Sequence, residues 1–238
     1  MSTLNGKIIP IYIVIACLLM FMDLLFPAAL ISYYLKFLTT CSLFFISCFQ
    51  RKRFKEQKLM FTAQLFVVIA DYFFVLTRGL KGGQLPPINQ VLGTICFLIA
   101  YVFLIKAWRP SRLKKITFIE IFIALILLSI YWPTVKILES HLQPLMRIGV
   151  FIFGFVLYIL AWTGICTRFR AYYGKHTSTL IGLASLLIFI SDLAVAHASL
   201  NPIFAGRFVP WLSALIWITY VPAWAIIVTI ISYHNICN

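Results

Sequence analysis

Eight long apolar stretches, separated by short polar segments, make up most of the chain. They cover, to within a few residues, positions 8–26, 28–49, 59–77, 88–107, 116–132, 145–166, 178–198 and 209–233. Each comes close to the roughly 20 residues that an α-helix needs to cross the hydrocarbon core of a bilayer. The segments between them are short, and some carry the glycine and proline residues that mark turns. The pattern predicts an all-α fold, a polytopic transmembrane bundle of about eight helices.

The composition agrees with this pattern. Hydrophobic residues make up 63% of the sequence and charged residues 11%, whereas a soluble domain is about half apolar and about a quarter charged. Eight spans leave no room for a separate soluble domain within 238 residues, so we expect a single transmembrane domain over 1–238. Only one basic residue, Lys7, precedes the first span, and no small-residue cleavage site follows it, which favours a retained helix over a signal peptide.

The formal net charge of +14 bears on topology. In a soluble protein it would suggest nucleic-acid binding, but here the basic residues lie in loops between spans, so no nucleic-acid partner is expected. If the N-terminus is inside the cell, 14 basic residues fall on the cytoplasmic side and five on the opposite side. Because cytoplasmic loops carry the excess of Lys and Arg, we expect both termini in the cytoplasm and a multi-pass protein of the cell membrane, the cytoplasmic membrane if bacterial.

No cofactor is suggested by the residues that commonly bind metals. The cysteines form no CxxC pair, and the four histidines are dispersed. We interpret the cysteines as small core residues and predict neither a metal site nor a cofactor. The cysteines are Cys17, Cys41, Cys48, Cys96, Cys166 and Cys237.

Two of the six acidic residues fall deep within apolar spans: Asp71 in the third and Asp192 in the seventh. Asp23 and Glu120 lie nearer span ends, where we expect them at the membrane interface. An ionisable side chain at membrane depth is costly and usually marks a working site. At about 1.5 Å per residue, each aspartate lies about 9 Å below the outer end of its span, and Lys36 about 12 Å. We therefore expect Lys36, Asp71 and Asp192 to line one cavity.

This spacing leaves three functions open. A buried ion pair would only pin the bundle together. Alternatively, the carboxylate near Lys36 would stay ionised while the other stays protonated, which places a base beside an acid. That arrangement suits hydrolysis, and it also suits proton-coupled transport.

Several short motifs resemble the YhhN-type family, the lysoplasmalogenase-like membrane proteins, over most of the chain from the second span to the eighth. The most specific is the family's pattern of Gly, then Phe and a Ser-Asp pair, which matches Gly182, Phe189, Ser191 and Asp192. The family's Lys-Pro-Leu motif corresponds to Lys36-Phe37-Leu38, and its Gly-Asp motif to Ala70-Asp71. In the fourth span, the family's Gly, Phe and His correspond to Gly93, Phe97 and Tyr101. In the eighth span, its Tyr followed by a polar residue corresponds to Tyr220 and Trp224.

The resemblance implies hydrolysis of the vinyl ether bond of a lysoplasmalogen, a membrane lysolipid, to a fatty aldehyde and a glycerophospho-alcohol. It implies that Asp71 and Asp192 divide the tasks of catalytic acid and base, and it leaves open which residue has which task. The residues at the remaining motif positions would bind or position the substrate: Lys36, Tyr101, Ser191, Tyr220 and Trp224. Lys36 would keep one carboxylate charged or meet the lipid phosphate, and Tyr101 or Tyr220 would orient water or substrate.

The chain departs from the family pattern at four of these positions. Tyr101 stands where the family usually has His, and Trp224 where Gln or His is common; Phe37 replaces Pro and Ala70 replaces Gly. The acids are retained while polar partners change. The alternative that follows is a diverged member that transports a small solute or protons, or that is not an enzyme.

Overall fold

The computed structural model describes residues 6–109, 116–139, 142–204, 207–234 and 236. Within them, eight helices are long and apolar enough to span a membrane, so the all-α prediction is confirmed. The helices are α1 (Ile8–Leu25), α2 (Leu30–Cys48), α3 (Lys55–Leu80), α4 (Pro87–Trp108), α5 (Phe118–Glu139), α6 (Pro144–Cys166), α7 (Lys175–Leu200) and α8 (Pro210–Ser232). Residues 110–115 of the second basic loop and Cys237 lie outside the described residues.

The centre of the bundle is α8. It packs against α1, α2, α3 and α7, and most of its length is buried within the protein. The helices α3 and α4 form one closely packed pair and α6 and α7 another, while α5 lies against α6 at the periphery. Many apolar side chains on the outer helices point away from the protein, as expected of surfaces that contact acyl chains.

Two helices differ in detail from the sequence prediction. The fifth predicted span ends at Trp132, before Pro133, but α5 continues through this proline to Glu139. A proline within a helix costs a hydrogen bond, yet transmembrane helices tolerate it because neighbouring groups re-satisfy the freed backbone. In α3 the residues Tyr72–Leu76, directly after Asp71, form one wide π-helical turn, a feature often found at functional sites.

Small residues let the helices approach closely beside this turn. A Cβ atom at Gly93 of α4 would overlap the ring of Phe74 and lie 3.3 Å from the carbonyl oxygen of Ala70. Any larger residue at 93 would therefore push α4 away from the wide turn of α3. Gly154 has the same role between α6 and α5, because a Cβ there would overlap the ring of Tyr131.

Buried polar contacts tie the helices together at the end where the basic loops lie. The Gln57 amide donates to the carbonyl oxygens of Ile231 (3.0 Å) and Tyr233 (2.8 Å), which links α3 to α8. Glu120 forms a salt bridge with Arg170, at 2.6 Å, and is 2% exposed. Glu120 thus lies near the start of α5, as expected, but its carboxylate is enclosed by protein and paired instead of solvated.

Candidate active site

A cavity of about 710 Å³ enters the bundle from the end opposite the basic loops. Its wall includes residues near the ends of the helices, such as Arg78, Leu138 and Arg207, and extends to Leu98 and Leu157, near the middle of α4 and α6. This volume lies within the range of small-molecule sites. Most of the wall is apolar, so the cavity suits a ligand with a hydrocarbon chain.

Asp71 lies on the wall of this cavity, and two hydroxyl groups hold its carboxylate. Its Oδ2 accepts hydrogen bonds from Thr40 Oγ1 of α2 (2.7 Å) and from the Tyr220 hydroxyl of α8 (2.8 Å). The position of Asp71 at the end of the regular part of α3, just before the wide turn, brings it to the meeting point of three helices. A carboxylate with two donors is fixed in one orientation.

Asp192 lines the same cavity from α7. Its Oδ2 accepts a hydrogen bond of 2.5 Å from the hydroxyl of Tyr101 in α4. The rings of Tyr101 and Tyr220 both pack on Phe97, with centroids 5.9 and 6.3 Å away. The two aspartates therefore have matching surroundings, each with a tyrosine that rests on a shared phenylalanine.

One oxygen of each carboxylate has no partner in the part of the chain that the structure describes. Neither Asp71 Oδ1 nor Asp192 Oδ1 accepts a hydrogen bond there, and neither is among the enclosed atoms without a partner. Both residues border the cavity. Each aspartate thus keeps an oxygen for exchange of a proton with a molecule in the cavity.

Lys36 also lines the cavity, as expected, but its ion partner is neither of these aspartates. Its Nζ lies 2.7 Å from Oδ2 and 2.8 Å from Oδ1 of Asp23 in α1. Ser32 and Ser213 donate to the same carboxylate, at 2.8 and 2.6 Å. The idea that Lys36 keeps Asp71 or Asp192 ionised is therefore wrong. Asp23 lies near the end of α1, as expected, but it is 1% exposed and paired instead of solvated.

Ser191 and Trp224 lie behind the cavity wall. The Ser191 hydroxyl is fully buried and lies 3.4 Å from the carbonyl oxygen of Ile216, between α7 and α8. The Trp224 ring packs edge-on against Tyr220, with centroids 6.3 Å apart, and its Nε1 has no partner among the described residues. Both residues pack behind side chains that border the cavity.

Four of the residues singled out in the sequence border the cavity directly: Lys36, Asp71, Asp192 and Tyr220. Tyr101 contacts one of them, Asp192, through its hydroxyl.

Sequence reasoning missed several polar residues that complete the site. Asp23 could have been found, because a lysine buried in a membrane requires a carboxylate partner. Thr40 lies one turn after Lys36 on the same face of α2, a spacing that the sequence displays. Ser213, Arg78 and Arg207 come from other helices and loops, and only the fold brings them to the cavity. Among the described residues, no three side chains of His, Cys, Asp and Glu cluster in a way that would hold a metal ion.

Comparison with known proteins gives one match. The model of the YhhN family matches residues 31–231, which include α3, α4 and α7 and most of α2 and α8. The matched range contains both cavity aspartates, Lys36 and both tyrosines, but not Asp23. No curated protein and no solved structure matches the chain.

Proposed function

Because the chain belongs to the YhhN family, we propose that it is a membrane-embedded hydrolase that cleaves the vinyl ether bond of a lysoplasmalogen. The observation that carries the proposal is the pair Asp71 and Asp192 on one apolar cavity, each with a tyrosine partner and an unengaged oxygen. Vinyl ether cleavage needs a proton delivered to carbon and a water molecule directed at the resulting cation. Two carboxylates on one cavity meet both needs.

The tasks are divided according to hydrogen bonding. Asp71 accepts two hydrogen bonds from hydroxyl groups and Asp192 accepts one. Since donors stabilise a negative carboxylate, we assign the base to Asp71 and the proton donor to Asp192. Tyr220 and Tyr101 orient the two carboxyl groups, and Trp224 holds the ring of Tyr220 from behind.

The first half of the reaction follows from this assignment. The Asp192 carboxyl gives its proton to the alkenyl carbon farther from the ether oxygen, and the C=C electron pair forms the new C–H bond. The carbon bonded to oxygen becomes an oxocarbenium ion. The Asp71 carboxylate removes a proton from water as the water oxygen attacks that carbon, which gives a hemiacetal.

The second half restores both groups. Asp71 returns its proton to the glyceryl oxygen as the C–O bond breaks, and Asp192 takes the proton of the hemiacetal hydroxyl as the C=O bond forms. The products are the fatty aldehyde and the glycerophospho-alcohol. One water molecule is consumed, and both carboxyl groups end as they began.

The apolar surroundings of the cavity also suit a lipid substrate. Val91 and Ile95 of α4 and Ile148 and Ile152 of α6 border the cavity, and each is about half exposed. We infer that an alkenyl chain enters sideways between α4 and α6, along these apolar side chains.

The proposal is favoured over transport by the packing on the inner side of the aspartates. Leu104, Phe189 and Trp224 are at most 1% exposed there, whereas a transporter needs a path that opens to either side. It is favoured over a purely structural role because a closed ion pair would need no cavity. The cavity lysine, Lys36, forms its ion pair with Asp23 instead.

Replacement of either aspartate with asparagine tests the proposal. Asparagine keeps the shape and hydrogen-bonding capacity of the side chain but exchanges no proton, so aldehyde release should fall by about 10²–10⁴-fold. The measurement is aldehyde release from a vinyl ether lysolipid by purified protein in detergent, followed through an aldehyde dehydrogenase.

A matched control is Glu139→Gln, because this acid lies on the surface in a pair with Lys136. It should leave the rate unchanged. Normal aldehyde release by Asp71→Asn and Asp192→Asn would make the carboxylates structural. A wild-type protein that releases aldehyde from no vinyl ether lipid would refute the hydrolase itself.

A further inference from the structure

Two arginines lie at the mouth of the cavity, where the reaction described above gives them no task. Arg78 is in the last turn of α3, and Arg207 precedes α8. Both border the cavity. They come from segments far apart in the sequence, so the fold alone brings two guanidinium groups to one opening.

The side chain of Arg78 is held in place and still has free donors. Its Nε donates to the carbonyl oxygen of Gly83 at 2.9 Å, and its guanidinium lies 5.7 Å from the centre of the Tyr33 ring. These contacts restrict the side chain while its two Nη groups make no hydrogen bond to the described residues. A pre-oriented guanidinium with free Nη groups suits an anion that accepts two parallel hydrogen bonds, as phosphate does.

Carboxylates do not neutralise this end of the cavity. In the described part of the chain neither Arg78 nor Arg207 forms a salt bridge. The nearby acids have other cationic partners: Glu139 pairs with Lys136 at 2.5 Å and Asp23 with Lys36 at 2.7 Å. The mouth therefore keeps positive charge that attracts an anion.

The distance along the helix matches a lysolipid. Arg78 follows Asp71 by seven residues, which places the arginine at most about 10 Å nearer the mouth. In a lysoplasmalogen the three glycerol carbons lie between the phosphate and the vinyl ether oxygen. A phosphate held by the arginine side chains at the mouth thus places the reactive bond at the level of the aspartates.

We propose that Arg78 and Arg207 form a subsite for the phosphodiester of the substrate headgroup, which selects lysophospholipids over neutral ether lipids. This inference rests on the proposed function and adds the orientation of the substrate: phosphate at the mouth, alkenyl chain inward. In this arrangement the two arginines, and not Lys36, contact the phosphate, because the Lys36 ammonium group is already paired with Asp23.

The test compares two vinyl ether substrates of equal chain length, a 1-alkenyl lysophospholipid and the corresponding neutral 1-alkenylglycerol. Arg78→Gln and Arg207→Gln should each raise KM for the phosphate-bearing substrate about tenfold or more, the size of a lost charged hydrogen bond. The kcat should change less than twofold, and both constants for the neutral substrate should stay the same. Ethanolamine and choline headgroups should be affected equally, because both carry the phosphodiester.

The matched control is Lys81→Gln, which removes one positive charge at the same end from an exposed side chain outside the cavity wall. It should change neither KM. Arg78→Lys keeps the charge but not the planar fork, so it should recover part of the loss. An equal effect of the arginine variants on both substrates, or no effect on either, overturns the subsite.

Binding of a saturated 1-O-alkyl lysophospholipid, which has no vinyl ether to cleave, separates this inference from the hydrolase. Calorimetry should show binding that Arg78→Gln and Arg207→Gln weaken about tenfold. Such binding without any aldehyde release would refute the hydrolase and keep the subsite, whereas hydrolysis that ignores both arginines would do the reverse. If inorganic phosphate competes as well as the lysolipid does, the mouth is a site for free anions and the lipid assignment is wrong.

Discussion

Removal of the Asp23 charge should destabilise the protein strongly, because it leaves the Lys36 ammonium group buried without a counter-ion. Lys36 is 2% exposed and Asp23 1%. Once Asp23→Asn removes the carboxylate, Lys36 retains the Ser213 hydroxyl at 3.2 Å and the Trp217 ring at 5.2 Å. Neither carries a negative charge. Breaking a buried pair from one side costs about 3–5 kcal/mol, and we expect a loss of stability in that range.

The double variant Asp23→Asn with Lys36→Met should recover most of this loss. Methionine fills a similar volume without a charge, and the asparagine amide can accept a hydrogen bond from one of the serines Ser32 and Ser213 and donate one to the other. Because removal of both charges avoids the unpaired ion, a buried pair can often be replaced at little cost. The double variant should therefore be more stable than Asp23→Asn alone.

The assay is an equilibrium unfolding titration with denaturing detergent in mixed micelles, read by tryptophan fluorescence for the wild type, both single variants and the double variant. The coupling energy follows from the double-mutant cycle. If the effects of the single variants simply add, or if Asp23→Asn unfolds at the wild-type midpoint, the ion pair does not stabilise the bundle and the reasoning fails.

Two further predictions concern other buried polar side chains. Gln57→Met should destabilise the protein by about 2–4 kcal/mol, because Gln57 donates two hydrogen bonds and accepts two more from backbone amides. Gln64→Met should stabilise the protein by about 1–3 kcal/mol, because both polar atoms of Gln64 are buried without a partner among the described residues. Thermal melts of the purified variants measure both effects, and a change of the same sign in both variants would contradict the prediction. Tyr101→Phe should lower aldehyde release less than Asp192→Asn does, because it removes only the hydroxyl that orients the carboxyl group. Tyr101→His should raise aldehyde release from a lysoplasmalogen. If Tyr101→Phe lowers aldehyde release as much as Asp192→Asn does, the tyrosine takes part in the reaction directly.

The fold was readable from the sequence to the extent that it depends on local patterns. Helix number and most helix ends follow from apolar runs of sufficient length, as with α4 and α6. The predicted fifth span ended too early, before Pro133, because proline usually ends a helix in a soluble protein, whereas a transmembrane bundle tolerates it. The burial of α8 could not be predicted either, since α8 has the same mean hydropathy, 2.1, as the peripheral helix α5. Hydropathy alone does not distinguish protein-facing from lipid-facing helices.

The sequence predicts those residues of the candidate site whose side chains are costly to bury in a membrane. Asp71 and Asp192 stood out because a carboxylate within an apolar span is costly and usually has a function. Their matched depth indicated that they line one cavity, and both do border the same cavity in the structure. The partner of Lys36 was assigned wrongly because depth measured along separate helices says nothing about which helices touch. Asp23 belongs to α1, and only the packing of α1, α2 and α8 around one another brings it to Lys36.

The central position of α8 has a consequence for biogenesis. During synthesis this helix enters the membrane after the seven others, yet it provides the surface on which α1, α2 and α3 assemble. Until it arrives, Asp71 lacks the Tyr220 hydroxyl and the Asp23–Lys36 pair lacks the Ser213 hydroxyl. Before α8 inserts, the partners of these two acids come from the earlier helices alone: Thr40 for Asp71, and Ser32 and Lys36 for Asp23.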